Sequence, residues 1–243
     1  MTTKYAISFS NPDGNSQLFV NGFLLFGNER VGRSVSKGEA YIRPGLNLFE
    51  IVSNKPNSKS SMIIRDISEI DDLETSPKLL TISAESDLPL DAGLRKVGNL
   101  IIKENVSEFK WHDATPIESL DAHVRAIYSI LESLATALEE GSDIEIQRLL
   151  NNKHTEIGGT HGLSRQAMDE GLLQGLAQRR ENAQFRVDLV AKDDFLPLLS
   201  SDRCIVNALR KSGGHALKMI DGRRNPGFSV SLAMVDNIWS IMR

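Results

Sequence analysis

The chain has 243 residues, of which 40% are hydrophobic and 25% charged, enough apolar content to build a folded core and too much for a disordered chain. Its formal net charge is -4, and the slight basic surplus after residue 178 is scattered, which excludes the concentrated basic footprint of a nucleic-acid binder. Apolar runs such as Phe23-Leu24-Leu25-Phe26 are far too short for a membrane span, and Met1-Thr2-Thr3-Lys4-Tyr5 lacks the apolar core of a secretory signal, so a cytoplasmic location is expected.

The first hundred residues alternate short apolar runs with turn signals. Tyr5 to Phe9 reads as a strand, and Asn11-Pro12-Asp13-Gly14-Asn15 as a loop. Leu18-Phe19-Val20, Asn21-Gly22 and Phe23 to Phe26 form a hairpin, because Asn and Gly tolerate the positive φ angles of a type I′ turn. Phe19, Phe23 and Phe26 are expected in the core. Gly38 precedes Ala40-Tyr41-Ile42, and Pro44-Gly45 turns into a strand from Leu46 to Val52. A loop is expected at Asn54-Lys55-Pro56-Asn57-Ser58, followed by strands at Met62 to Ile67, Leu79 to Ser83, Leu100 to Lys103 and Ser107 to Trp111. The acidic excess is densest at Ile70-Asp71-Asp72-Leu73-Glu74, which reads as a solvated surface. Short strands at this spacing suggest a sandwich or small barrel.

A boundary is expected between residues 113 and 114, giving a first domain over 1–113 and a second over 114–243. Thr115-Pro116-Ile117-Glu118 carries the signals of a helix start: a cap, Pro at the first helical position and Glu three residues after the cap. Leu120, Val124, Ile127, Tyr128, Leu131, Leu134, Ala135 and Leu138 then recur at helical spacing. Gly141 stops this helix, and Ser142-Asp143-Ile144-Glu145 opens a second with another capping box. A third helix is expected over Ser164 to Arg180. Its Gly171 and Gly175 suggest close backbone packing, since each costs about 1 kcal/mol against Ala in an exposed helix.

Strands return with Gln184 to Val190, where Phe185, Val187 and Leu189 alternate with polar residues. Arg203 to Leu209 follows, with Cys204 expected as a small buried hydrophobe. As the single cysteine, it can form no internal disulfide. Ser212-Gly213-Gly214 turns into His215 to Ile220, and Asp221-Gly222-Arg223-Arg224-Asn225 reads as a basic hairpin tip. Phe228, Val230, Leu232 and Met234 alternate with Ser229, Ser231 and Ala233 as one strand with one buried face. Asp236-Asn237 turns into Ile238 to Met242. The layout is α+β: an N-terminal all-β sandwich, then helices followed by an antiparallel sheet.

Two resemblances accompany this layout. Val20-Asn21-Gly22 and Arg43-Pro44-Gly45-Leu46-Asn47 give the first half a loose resemblance to bacterial Ig-like and galactose-binding-like sandwich modules. The long amphipathic helix, Leu138-Glu139-Glu140-Gly141-Ser142-Asp143 and Asn237-Ile238-Trp239-Ser240-Ile241 make the region from Ser119 to Met242 similar to the NTF2-like cone fold, including its SnoaL-like group. That resemblance implies a cone whose interior binds a ligand, carries an acid or base, or is filled by side chains. Thr155-Glu156-Ile157 is the one strand-like stretch before the third helix.

The densest set of reactive side chains is His154-Thr155-Glu156-Ile157-Gly158-Gly159-Thr160-His161. Imidazole and carboxylate donors suit zinc or iron, but the spacing matches no strong metal motif. A solvated helix-to-helix loop, a pocket lining and a metal site are its three readings, and no metal or cofactor is assigned. Asp188 reads as a carboxylate at a cone mouth or, by strand parity, as an outward charge. Lys192-Asp193-Asp194 reads as a solvated loop. His154, Glu156, His161, Asp188 and Trp239 are the candidate ligand-binding residues.

Two functional expectations follow. The first is a non-enzymatic, cytosolic, bacterial-type protein that binds a partner protein or a second copy of itself, with an immunity protein or an adaptor for a secreted effector as specific forms. The second is an enzyme or small-molecule binder using a cavity in the C-terminal cone. A cone filled by Met168, Met219, Met234 and Trp239 would favour the first. Neither expectation involves nucleic acid or membrane.

Overall fold

The computed structural model describes residues 4–28, 31–53, 55, 58–68, 72–84, 94–102, 109–200, 202–212, 214–222 and 227–243. The expectations for residues 54, 56–57, 70–71, 103, 107–108, 213 and 223–225 lie outside the described residues. The chain divides into two compact units, Met1–Glu108 and Phe109–Arg243, and mixes α-helices with antiparallel sheets.

The first unit holds eight described strands: β1 (Tyr5–Asn11), β2 (Ser16–Val20), β3 (Phe23–Phe26), β4 (Gly32–Lys37), β5 (Gly45–Ser53), β6 (Ser61–Asp66), β7 (Lys78–Ser83) and β8 (Leu94–Ile102). They form two four-stranded sheets, in the orders β4-β1-β6-β7 and β3-β2-β5-β8. Period-two alternation explains the core: Tyr5, Ile7 and Phe9 from one sheet meet Leu18, Val20, Phe49 and Ile51 from the other. The β2–β3 hairpin turns on Asn21 and Gly22, with φ of 48° and 83°, the type I′ geometry their chemistry allows. Phe19 and Phe23 are buried, and Phe26 stacks on Phe9 with centroids 5.8 Å apart.

Two turns of this unit are bonded to each other. Asn21 Nδ2 donates to Asn47 Oδ1 and to the Tyr41 carbonyl, both at 2.7 Å, while its Oδ1 accepts from Leu48 N at 2.9 Å. Asn47 Oδ1 accepts from Arg43 N, and its Nδ2 donates to the carbonyls of Arg43 and Gly45. Both amides are fully buried, so their polar atoms need these partners.

The second unit begins with a turn of 3-10 helix over Lys110–Asp113, where a strand was expected as far as Trp111. Residues 115–117 are not helical either. Thr115 N donates to the Met234 carbonyl, and Ile117 N to that of Arg203, each at 2.8 Å. The Thr-Pro-Ile-Glu signal therefore marks an extended segment that buries Ile117 in the core, and its tertiary hydrogen bonds override the local start signal. Helix α1 covers Val124–Glu140 and ends on Gly141, whose φ is 82° and whose N–H caps Ala137. Ile127, Leu131, Leu134 and Leu138 are buried along the expected stripe.

Helix α2 (Asp143–Leu149) starts after Ser142, without a side-chain capping bond. Helix α3 (Asn151–Thr160) occupies the stretch expected as a loop. Helix α4 (Arg165–Arg180) is capped by Ser164, whose hydroxyl accepts from Ala167 N. The glycine argument belongs to α3, not α4. A Cβ on Gly158 would stand 2.9 Å from the Leu163 carbonyl and 3.0 Å from Met168 Cγ, whereas Gly171 and Gly175 face open space.

Strands β9 (Arg186–Leu189), β12 (Leu217–Ile220) and β13 (Gly227–Phe228) form one sheet, in the order β13-β12-β9. Strands β10 (Phe195–Leu199), β11 (Ile205–Arg210), β14 (Ser231–Val235) and β15 (Ile238–Ile241) form the other, in that order. The expected single strand from Phe228 to Met234 changes sheet between β13 and β14, so Val230, Ser231, Leu232 and Ala233 are all buried. Strand β10 carries Pro197, which an edge strand accommodates. Asp236 and Asn237 turn with φ of 52° and 62°. Cys204 is half-buried against the carbonyls of Ala114 and Asp202, rather than an apolar core residue. Among the described residues, no helix is long and apolar enough to cross a membrane.

Candidate functional site: the charged cluster on α3

Helix α3 gathers most of the candidate side chains, but turns them in different directions. His154 and Glu156 are 5% and 6% exposed, whereas His161 follows the helix as its solvent-exposed C-cap. His154 Nδ1 donates to Asp169 Oδ1 on α4 at 2.6 Å, and Arg165 Nε approaches the other carboxylate oxygen at 3.6 Å. This pair fixes the imidazole orientation and ties α3 to α4.

Glu156 makes a second tie. Its Oε1 accepts from Lys110 N and its Oε2 from Arg243 Nη1, both at 2.8 Å. Arg243 is almost wholly buried, donates also to the Met242 carbonyl, and lies 5.2 Å over the Phe109 ring. One carboxylate thus joins α3, the 3-10 turn and the segment after β15. Lys153, on the same helix, donates to the Ser229 carbonyl at 2.8 Å and sits 4.6 Å over the Phe228 ring. Burial, then repulsion from Arg243, pushes its pKa from 10.5 down to about 7.

His154, Glu156 and His161 therefore do not converge. Among the described residues, no group of three His, Cys, Asp or Glu side chains is arranged to hold a metal ion. Asp188 follows the parity of β9: Val187 and Leu189 pack on the core, while the Asp188 carboxylate accepts from Arg210 Nη2 at 2.7 Å. Trp239 packs against the core and meets His123 edge-on at 5.4 Å, with its Nε1 buried and without a hydrogen-bond partner among the described residues. Met219 also packs on this core. Residues Lys192–Asp194 form an exposed 3-10 turn, in which Lys192 reaches Glu132 at 3.3 Å.

An open hollow of about 630 Å³ lies at the end of α4, lined by Gly175, Gln178, Arg179, Glu181, Asn182 and Asp221. Arg179 and Asp221 pair across it at 2.6 Å. It is lined by none of the candidate residues. The participants that the sequence does not reveal are Lys153, Asp169 and Arg243. A charged residue in an apolar setting is the available signal, and the segment Ile241-Met242-Arg243 carries it faintly.

In chemical terms, the α3 cluster is a set of internal ties plus one weakly basic lysine. Comparison with known protein families, with curated proteins and with solved structures returns no match to this chain.

Proposed function

We propose that the protein is a non-catalytic binding protein, in which a β-sandwich and an NTF2-like unit present a surface to another protein. The observation that carries this reading is an apolar patch on the first unit. Leu46 and Ile101 stand directly opposite each other on β5 and β8, exposed by 48% and 66%. Val97, on the same face of β8, is 52% exposed. Strand β8 is the last strand of its sheet among the described residues. Large apolar side chains gathered on a sheet edge mark interaction surfaces more than scattered single ones do. The internal pairing of His154, Glu156 and Asp188 supports a structural role for those residues.

The cytosolic setting, and the roles of immunity protein or effector adaptor, belong to this same proposal. The alternative, an enzyme or small-molecule binder using the C-terminal cone, has the hollow beside Arg179 and Asp221 as its support. The test is affinity capture from the native host with the parent and with the variant Leu46→Glu/Ile101→Lys, alongside light scattering of each. A protein or second copy retained by the parent and lost by the variant is expected. An unchanged set of captured proteins and an unchanged mass would contradict the proposal.

A further inference from the structure

The sheet β4-β1-β6-β7 has an inner face of aromatic and aliphatic side chains and an outer face of a different character. On β1, Ser8 and Ser10 point away from the core. The register sets Ser8 beside Val35 and Ile63, and Ser10 beside Arg33 and Ser61. The turn that follows β6 rises along this face, held by Asp72, which accepts from Glu74 N and from the Ser76 hydroxyl. Its Leu73 and Glu74 become one wall of a hollow of about 330 Å³.

Most donors lining this hollow have no partner among the described residues. The hydroxyls of Ser8, Ser10 and Ser61 have no hydrogen-bond partner among the described residues. Arg33 is exposed and makes no ion pair or hydrogen bond among them. Arg65 is fixed in place: its Nη1 donates to the Ser76 carbonyl at 2.7 Å and to the Glu74 carbonyl at 3.5 Å. Its Nε and Nη2 remain for a ligand. Among the described residues, the Glu74 carboxylate is the single acidic group in the lining and pairs with neither arginine.

We propose that this hollow is a binding site for a small phosphate monoester. Two guanidinium groups and three hydroxyls offer more donors than the two oxygens of a carboxylate can use, and the three terminal oxygens of a phosphate, with its higher charge, can accept more of them. Val35, Ile63 and Leu73 supply an apolar wall for the carbon body of the ester. The volume is that of a small-molecule pocket, at the lower end of the range. The site belongs to the opposite sheet from Leu46 and Ile101, so it stands independently of the protein-binding surface.

The probes are phenyl phosphate, inorganic phosphate, benzoate and phenol, titrated into the full chain by calorimetry. Phenyl phosphate is expected to bind one-to-one, with inorganic phosphate about tenfold weaker for lack of the apolar contact, and with benzoate and phenol weaker still. Arg33→Gln, at an exposed position, is expected to weaken phenyl phosphate by about tenfold without shifting the melting point. Glu74→Gln is expected to tighten it, since it removes the opposing charge. Arg65→Gln adds to the test only if it melts like the parent. Absence of saturable binding up to about 10 mM phenyl phosphate would overturn the proposal. So would equal affinity in the parent, Arg33→Gln and Glu74→Gln, or benzoate binding as well as the ester. A phosphotyrosine peptide that binds far more tightly than phenyl phosphate, through the same arginines, would overturn the small-molecule assignment.

Discussion

Asn21 and Asn47 in the first unit are wholly buried, neutral amides, while Glu156, Arg243, His154 and Asp169 in the second are nearly as buried and are ionisable. The amides bond to each other and to backbone groups between Tyr41 and Leu48, so they tie the Asn21-Gly22 turn to the turn before β5 without any charge. The ionisable groups pair with charged side chains of other elements: Glu156 meets Arg243, and His154 meets Asp169. Both arrangements satisfy buried polar atoms, but a missing amide leaves unpaired dipoles, whereas a missing ion leaves an unpaired charge. The second unit should therefore be the more fragile to a single substitution and the more sensitive to pH.

The largest effect is expected from Arg243→Met, which strands the Glu156 carboxylate in the interior. A loss of about 3–5 kcal/mol by chemical denaturation is predicted. A loss below about 1 kcal/mol would mean that water reaches Glu156 in solution. Asn47→Ala comes next, at about 1–3 kcal/mol, because it takes a partner from the buried Asn21 amide and from the part-buried backbone groups of Arg43 and Gly45. That loss should be the same at acidic and alkaline pH, since no charge is involved, and a pH-dependent loss would erase the contrast between the units.

Lys153 gives the contrast a sign. Its folded pKa, about 7, lies below the ordinary 10.5, so between these values the unfolded chain holds a proton that the folded chain has released. The penalty of burying the ammonium is complete below pH 7 and fades as pH rises toward 10.5. The parent should gain stability across that window relative to Lys153→Met, whose profile lacks the slope. Arg243→Met should shift the slope to higher pH by removing the repulsion. Superimposable profiles of parent and Lys153→Met would show that Lys153 keeps an ordinary pKa.

Much of the architecture was legible because it is written locally. The Asn21-Gly22 and Asp236-Asn237 turns, the stripe from Ile127 to Leu138, and the Gly141 stop each need only their own neighbours. The failures share a cause: a distant partner overrode a local signal. Thr115 and Ile117 were drawn into extended bonds with Met234 and Arg203. Gly158-Gly159 reads as a loop, yet Gly158 is helical because Leu163 and Met168 close over it. The strand from Phe228 to Met234 changes sheet, which a pattern of alternation cannot register. Of the candidate residues, His154 and Glu156 were found by type, while their partners, 15 and 87 residues away, have no sequence signal that joins them.

The smallest effects test this account of the glycines. Gly158→Ala should destabilise by about 1–3 kcal/mol through overpacking against Leu163 and Met168. Gly175→Ala, with open space around it, should stabilise by about 1 kcal/mol through helix propensity alone. Thermal melts that show the same sign for both would place the close approach elsewhere.

The most direct test of the central claim, that the reactive side chains of α3 are internal ties, is a double-mutant cycle over Glu156→Gln and Arg243→Met, read by chemical denaturation. If the pair is a buried tie, the two losses are strongly non-additive: the double variant recovers most of the loss of Arg243→Met, and the coupling energy is about 2–3 kcal/mol. Additive losses within about 0.5 kcal/mol would contradict the claim and return Glu156 to the pool of groups free to act on a ligand.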